Sequence, residues 1–263
     1  ETVGKTVKEL MPNTESYWIE EYGKVVSTQK AEFYINYSQS INKYIKAWVF
    51  PAGDNRFAAI FSDITAQKIL ERKQTFLNKV LTELNHEYSN DDVINRLVDL
   101  LQEFSDADGV GIRFQNNNEY PYYAIRDLEF SGEKLCSPKN SGKIENDANG
   151  CLVFECLCAS ILSQEIKSVE LPYVTAKGSF WSNNMTGMKE INQICRNENK
   201  CCLSGSQSIA LIPIMKDQEA VGLIQFNYIE PDKLSLDFVE FIESVGQAVG
   251  IAVARINNYR ELE

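Results

Sequence analysis

Residues 57 to 65, Phe57-Ala58-Ala59-Ile60-Phe61-Ser62-Asp63-Ile64-Thr65, read as a buried strand that runs without a break into a long amphipathic helix. A strand fused in this way closes a sheet, and the helix leaves it as a rod able to carry a rotation or register shift to a following unit. Before the junction, Tyr34-Ile35-Asn36-Tyr37 and Tyr44-Ile45-Lys46-Ala47-Trp48-Val49-Phe50 read as two further strands, rich in aromatic and β-branched residues. Residues 5 to 28 carry two helical patterns, the second with Trp18, Ile19, Tyr22, Val25 and Val26 on one face. After the junction, Leu70, Gln74, Leu77, Leu81 and Leu84 keep the 4-3-4-3 spacing of a helix that packs against a partner helix. Thr65 is expected to cap a helix beginning at Ala66.

A second unit begins near residue 78. A helical pattern runs through Val93, Leu97, Leu100 and Leu101 and ends near Asp106; Gly109 to Phe114 reads as a strand and Tyr120 to Ile125 as its partner. Ser208 to Ile214 and Ala220 to Phe226 read as apolar strands around the turn Lys216-Asp217-Gln218-Glu219, with the pattern of central strands buried on both faces. A last helix is capped by Ser235. Along it Phe238, Ile242, Val245, Val249, Ala252, Ile256 and Tyr259 make one stripe, and Phe241, Ala248 and Ile251 make another. Two stripes call for two partners: the helix's own sheet, and a twin helix in a parallel dimer. Burial of a single stripe against its own domain is the alternative.

Charge and composition exclude some classes. A formal charge of -11 argues against a phosphate-tracking surface and so against nucleic acid. No apolar run approaches the roughly 20 residues that span a bilayer, and no secretory signal opens the chain, so a cytoplasmic location without membrane contact is expected. Three strands make only part of a sheet, which predicts further strands before residue 1. No GxGxxG or GxxxxGK[ST] motif is present. His86 is the only histidine. It precedes Glu87, as a phosphoacceptor would, but Tyr88-Ser89-Asn90-Asp91-Asp92 then reads as a loop and cap instead of a continuing heptad. No catalytic constellation is visible, and the chain is expected not to be an enzyme in itself.

Gly4-Lys5-Thr6 with Glu9-Leu10-Met11-Pro12, Trp18-Ile19-Glu20-Glu21-Tyr22-Gly23 and Phe57 to Thr65 together resemble the later two thirds of a PAS domain, in particular those of prokaryotic two-component sensor kinases. The resemblance implies that Asp63 and Thr65 tie the last strand to the outgoing helix. Glu155-Cys156-Leu157-Cys158, Gly178-Ser179-Phe180-Trp181-Ser182-Asn183, Arg196-Asn197, Ser208 to Pro213 and Gly222 to Asn227 resemble a sensory GAF domain of the kind that follows PAS domains in bacterial and archaeal histidine kinases. The implied fold class is α+β, with antiparallel sheets flanked by helices. A truncated PAS domain (1–65) and a signalling linker helix (66–85) precede a GAF domain (86–256), and a C-terminal helix (235–263) leads towards an output domain. The implied function is sensory input to a signalling protein whose output is a histidine kinase, or a different output such as a transcription regulator. A homodimer through the linker and C-terminal helices is expected, with Leu77, Leu81, Ile242 and Val249 in the relay.

All seven cysteines fall between Cys136 and Cys202. An odd count without a secretory signal weighs against a disulfide scaffold. Thiolate ligation of zinc, an iron–sulfur cluster or haem, a redox thiol switch, and reduced cysteines packed as small apolar residues all remain open. The GAF resemblance narrows the ligand candidates to Cys136, Cys156, Cys158 and either Cys201 or Cys202. On a helix the sulfurs of Cys156 and Cys158 diverge, so a chelate needs the pair extended or just before a helix start. Phe180 and Trp181 are candidates for lining a small-molecule or gas-ligand pocket, or for core anchors. Arg196 is a candidate for an anionic cofactor edge, or for a surface ion pair. Tyr34, Tyr37, Tyr44, Trp48, Phe50 and Phe57 could wall a cavity in the first unit, or could simply alternate between core and surface.

Overall fold

The computed structural model describes residues 3–53, 55–85, 90–116, 119–127, 143–150, 152–154, 156–188, 191–194 and 205–260. The chain forms two units, Glu1–Thr75 and Phe76–Glu263. Both are α+β, with sheets that are antiparallel apart from one short parallel pair.

The first unit has a short helix α1 (Val7–Leu10), a helix α2 (Ser16–Thr28) and three strands, β1 (Glu32–Ser38), β2 (Lys43–Pro51) and β3 (Phe57–Asp63), in the order β1-β2-β3. Alternation along β2 sends Ala47 and Val49 inward, where they meet Trp18 and Val25 of α2. The Tyr34 hydroxyl ties sheet to helix by donating to the Glu21 carbonyl at 3.1 Å. Helix α3 (Thr65–Leu84) follows β3 after one residue. It starts at Thr65, not Ala66, and Thr65 is its first residue and not its cap. The Thr65 hydroxyl accepts the Tyr44 N–H at 3.0 Å, and the Asp63 carboxylate takes the N–H of Thr65 at 3.0 Å.

In the second unit, α4 (Asn90–Ser105) leads into β4 (Gly109–Phe114) and β5 (Tyr122–Arg126). Next come β6 (Ile144–Asn146), β7 (Leu152–Phe154), α5 (Leu157–Leu162), β8 (Phe180–Ser182) and β9 (Ile191–Ile194). The unit closes with β10 (Ser208–Lys216), β11 (Glu219–Tyr228) and α6 (Leu236–Arg260). The main sheet has the order β5-β4-β11-β10-β8, and β6, β7 and β9 make a small separate sheet. As the apolar runs predict, β10 and β11 are central and buried for most of their length. Ser235 caps α6 by accepting the Phe238 N–H at 3.2 Å.

One face of the main sheet is covered by α4, α6 and the second half of α3. Ile212 and Ile214 of β10 and Ile224 and Phe226 of β11 meet Leu97, Leu101, Ile242 and Val249 there. Two expectations about helix faces are corrected at this layer. On α3, Phe76, Val80 and Leu84 belong to this core and Leu77 packs partly buried against it, whereas Leu70 and Leu81 remain 56% and 39% exposed. The heptad seam therefore divides into a stripe facing the domain and an exposed stripe. On α6, Ile242 and Val249, expected in the relay seam, are fully buried against the sheet, and Ile251 of the other stripe is 61% exposed. The absence of a side chain at Gly250 lets α6 approach β10 closely: a Cβ added there would lie 2.1 Å from the Met215 carbonyl oxygen.

Candidate functional site

The other face of the main sheet is built differently. Half of it is apolar: Ile209 and Leu211 of β10 and Leu223 of β11 pack with Phe154, Leu157, Ile161 and Phe180. The other half is polar and also buried. Period-2 alternation that points Ile224, Phe226 and Tyr228 at the helices points Gln225 and Asn227 the opposite way. On β4 the same alternation places Arg113 beside them, only 1% exposed. Gly109 and Gly111 of β4 pair with Asn227 and Gln225, so neither amide faces a side chain on that neighbouring strand.

These groups are joined by hydrogen bonds. The Tyr122 hydroxyl donates to Gln225 Oε1 at 2.7 Å, Gln225 Nε2 donates to Asn227 Oδ1 at 2.7 Å, and Asn227 Nδ2 donates to the Ser206 hydroxyl at 2.9 Å. The Arg113 guanidinium stacks over the Tyr122 ring, 3.6 Å from its centroid, and donates to the Tyr120 carbonyl at 3.1 Å. The Tyr120 hydroxyl donates to the Ala220 carbonyl at 3.0 Å, and burial pushes its pKa up, so this phenol stays protonated. A β-bulge between Ile112 and Arg113 brings Tyr122, instead of Tyr123, opposite Arg113. Sequence reasoning missed Arg113, Tyr122, Gln225 and Asn227. A lone arginine in Gly109 to Phe114 and the alternation Ile224-Gln225-Phe226-Asn227 were the available signals.

Of the predicted site residues, Phe180 and Trp181 do not line one pocket together. Phe180 is fully buried on the face just described, and Trp181, the next residue on β8, packs against the helix-face core. Cys156 precedes α5 in an extended conformation at its N-cap, and Cys158 lies inside the helix, 2% exposed. Both sulfur-bearing residues nevertheless pack on the core that contains Phe180. Cys136, Arg196, Cys201 and Cys202 lie outside the described residues, as do Cys151, Cys195 and His86. Among the described residues, no group of three or more His, Cys, Asp or Glu side chains is placed to hold a metal ion.

The first unit has a cleft of about 820 Å³ between α2 and the sheet, with Trp18, Tyr22, Ile45, Phe57 and Phe61 on its walls. Of the six aromatics singled out there, only Phe57 lines it. Trp48 and Phe50 are on the exposed face, Tyr37 and Tyr44 pair on the surface at 5.0 Å, and Tyr34 packs against the small core. No helix among the described residues is long and apolar enough to cross a membrane.

No protein-family model and no curated protein matches the sequence. Solved structures do match. The GAF domain of an Acinetobacter phosphoenolpyruvate-protein phosphotransferase superposes with a TM-score of 0.50 at 13% identity, covering 72% of this chain and 97% of that one. The GAF domain of a Coxiella burnetii phosphoenolpyruvate-protein phosphotransferase gives 0.49 at 14%, covering 73% and 98%. Free methionine-R-sulfoxide reductase from Neisseria meningitidis, in complex with its substrate, gives 0.46 at 10%, covering 68% and 87%. The Acinetobacter superposition shows a GAF fold for the part of the chain that it covers.

Proposed function

We propose that this chain is a sensory input module in which the GAF unit holds a polar small molecule on the sheet face away from its helices. The observation that carries the reading is the polar run Arg113–Tyr122–Gln225–Asn227–Ser206, buried at Arg113, Gln225 and Asn227 and half-buried at its two other members, beside an apolar wall. Binding sites combine an apolar wall with a few convergent polar groups, and burying polar side chains in a sheet is costly, so three of them on the β4–β11 pair, extended by Tyr122 of β5, call for a use. The first unit acts as a PAS-like partner. Helices α3 and α6 pass the signal, within a homodimer in the cytoplasm, to a histidine kinase output. The exposed stripe of Leu70 and Leu81 supports a helix-to-helix contact along α3. The test is a thermal-shift screen of the chain against a panel of nucleotides, amino acids and carboxylic acids, repeated with Gln225→Leu. A hit that Gln225→Leu abolishes while the fold is kept supports the site. No hit, together with a Gln225→Leu protein more stable than wild type, overturns it.

A second reading, a cysteine-ligated metal, iron–sulfur or haem sensor of redox state or gas, is favoured by one observation: Cys156 and Cys158 pack on the same core as Phe180. Such a group would supply redox or diatomic-ligand chemistry, with Cys156 at the start of α5 as the described residue that would hold it, while Cys158 is packed inside the helix in the apolar core. A visible spectrum and elemental analysis of anaerobically purified chain separate the readings.

A further inference from the structure

The hairpin that enters β8 touches both faces of the main sheet and also the C-terminal helix. Tyr173 to Trp181 folds back on itself: the Thr175 N–H donates to the Ser179 carbonyl at 2.9 Å, the Trp181 N–H to the Tyr173 carbonyl at 2.8 Å, and Val174 bridges Phe180. Gly178, at a φ of +90°, closes the turn, and the Lys167 stem fills the space beside it. From this hairpin Phe180 enters the core of the site face, while Ser179 reaches the other way, to α6.

Its partner on α6 is Glu243, a carboxylate only 5% exposed. Its Oε1 accepts the Ser179 hydroxyl at 2.7 Å and also the Thr175 hydroxyl. Its Oε2 lies 3.8 Å from Lys177 Nζ. Thr175 Oγ1 in turn accepts the Ser179 N–H at 3.1 Å, so the two donors are held in one geometry. A carboxylate this deep is tolerated only while its donors stay in place; shifting the hairpin without the helix, or the helix without the hairpin, strands the charge. The site does not use Glu243, and a hydrophobic residue would fill the position at less desolvation cost.

We infer that Glu243 is a latch through which displacement of Phe180 on the site face is felt by α6. The device deepens the sensory reading by giving it an exit route, and rests on that reading for its biological use. A competing route exists, since α6 also lies directly on β10 and could be moved by the sheet itself.

Amide hydrogen exchange of the whole chain, read over α6, tells the routes apart without any ligand. Phe180→Leu loosens the site-face core in two backgrounds: wild type, and a latch-free protein carrying Thr175→Val, Ser179→Ala and Glu243→Met, which leaves no stranded charge. In wild type, Phe180→Leu is expected to speed exchange over residues 239–249 roughly 5- to 30-fold, the factor that loss of a buried hydrogen-bond pair produces. In the latch-free background the same change is expected to alter exchange by less than about twofold. Equal acceleration in both backgrounds assigns the coupling to β10 and overturns the latch, as does no acceleration in either. If Phe180→Leu does not fold, Leu211→Val, which trims the side chain paired with Phe180 across β8 and β10, takes its place. A chain that binds no small molecule would pass or fail this test unchanged, so the latch and the sensory reading can fail separately.

Discussion

Thr65 Oγ1 lies 3.0 Å from the amide nitrogen of Tyr44, so the first residue of α3 is bonded to the second residue of β2. Asp63 completes the joint, since its carboxylate meets Lys43 Nζ at 2.7 Å and takes the Thr65 N–H. Strand end, helix start and the neighbouring strand therefore share one set of polar contacts.

The joint has a pH signature. The Lys43 ammonium, followed by the Thr65 hydroxyl and N–H, holds the Asp63 carboxyl well below the usual aspartate range. A depressed folded-state pKa contributes stability that is fully present above the unfolded value near 4 and lost as pH falls through the folded value. The Tm gap between wild type and Asp63→Asn is thus expected to be constant above about pH 5 and to narrow below about pH 4. A gap that does not change with pH would show that the charge does not contribute.

On α3, the two stripes should separate in mutation. Phe76 is 4% exposed and stacks on Phe104 with centroids 4.2 Å apart, so Phe76→Ala is expected to cost about 3–5 kcal/mol in unfolding of the second unit. Leu81→Asp, on the exposed stripe, is expected to leave that transition within about 0.5 kcal/mol and instead to weaken self-association in analytical ultracentrifugation. A wild type that stays monomeric at all concentrations would refute the dimer.

Gly250 tests the seating of α6 on β10. Alanine normally gains about 1 kcal/mol over glycine inside a helix. Here the added Cβ would meet the Met215 carbonyl oxygen at 2.1 Å, and backbone cannot swing aside. Gly250→Ala is expected to destabilise by about 1–3 kcal/mol net. Gly246→Ala, whose Cβ would lie 3.2 Å from the Pro213 carbonyl oxygen, is expected to be nearly neutral in chemical denaturation.

The two described cysteines predict opposite responses to serine. Cys158 is buried in apolar surroundings, so Cys158→Ser is expected to cost about 1–3 kcal/mol. Cys156 is at the N-cap of α5 without a side-chain cap, where serine is a better residue, so Cys156→Ser is expected to be neutral or to stabilise by up to about 1 kcal/mol. Loss of a visible absorption band on Cys156→Ser would instead establish cofactor ligation.

Much of the fold was legible because local chemistry and tertiary burial agree. The strands at 109–114, 208–214 and 220–226 are mainly apolar runs, and Ser235 caps its helix as its type suggests. What the sequence left ambiguous was the identity of a partner. Ile242 and Val249 repeat at heptad spacing whether they face a twin helix or their own sheet, because periodicity records that a face is apolar and not what covers it. Phe180 and Trp181 are adjacent in the sequence, yet neighbours on a strand point to opposite faces. The polar run is not legible in the sequence because a strand read as buried on both faces is expected to be apolar on both, and Gln225 and Asn227 do not reveal the partners, Tyr122 and Ser206, that satisfy them.

That alternation along β11 also constrains how the chain reaches this fold. Sliding β11 by one residue against β4 would drive Gln225 and Asn227 among the isoleucines beneath α6 and turn Ile224 and Phe226 onto Arg113. Each odd-residue slip strands amides in hydrocarbon and is thereby disfavoured against the observed alignment. The residues proposed to receive a ligand would then serve the folding chain first, by rejecting the one-residue slips that turn the faces of the central strand over.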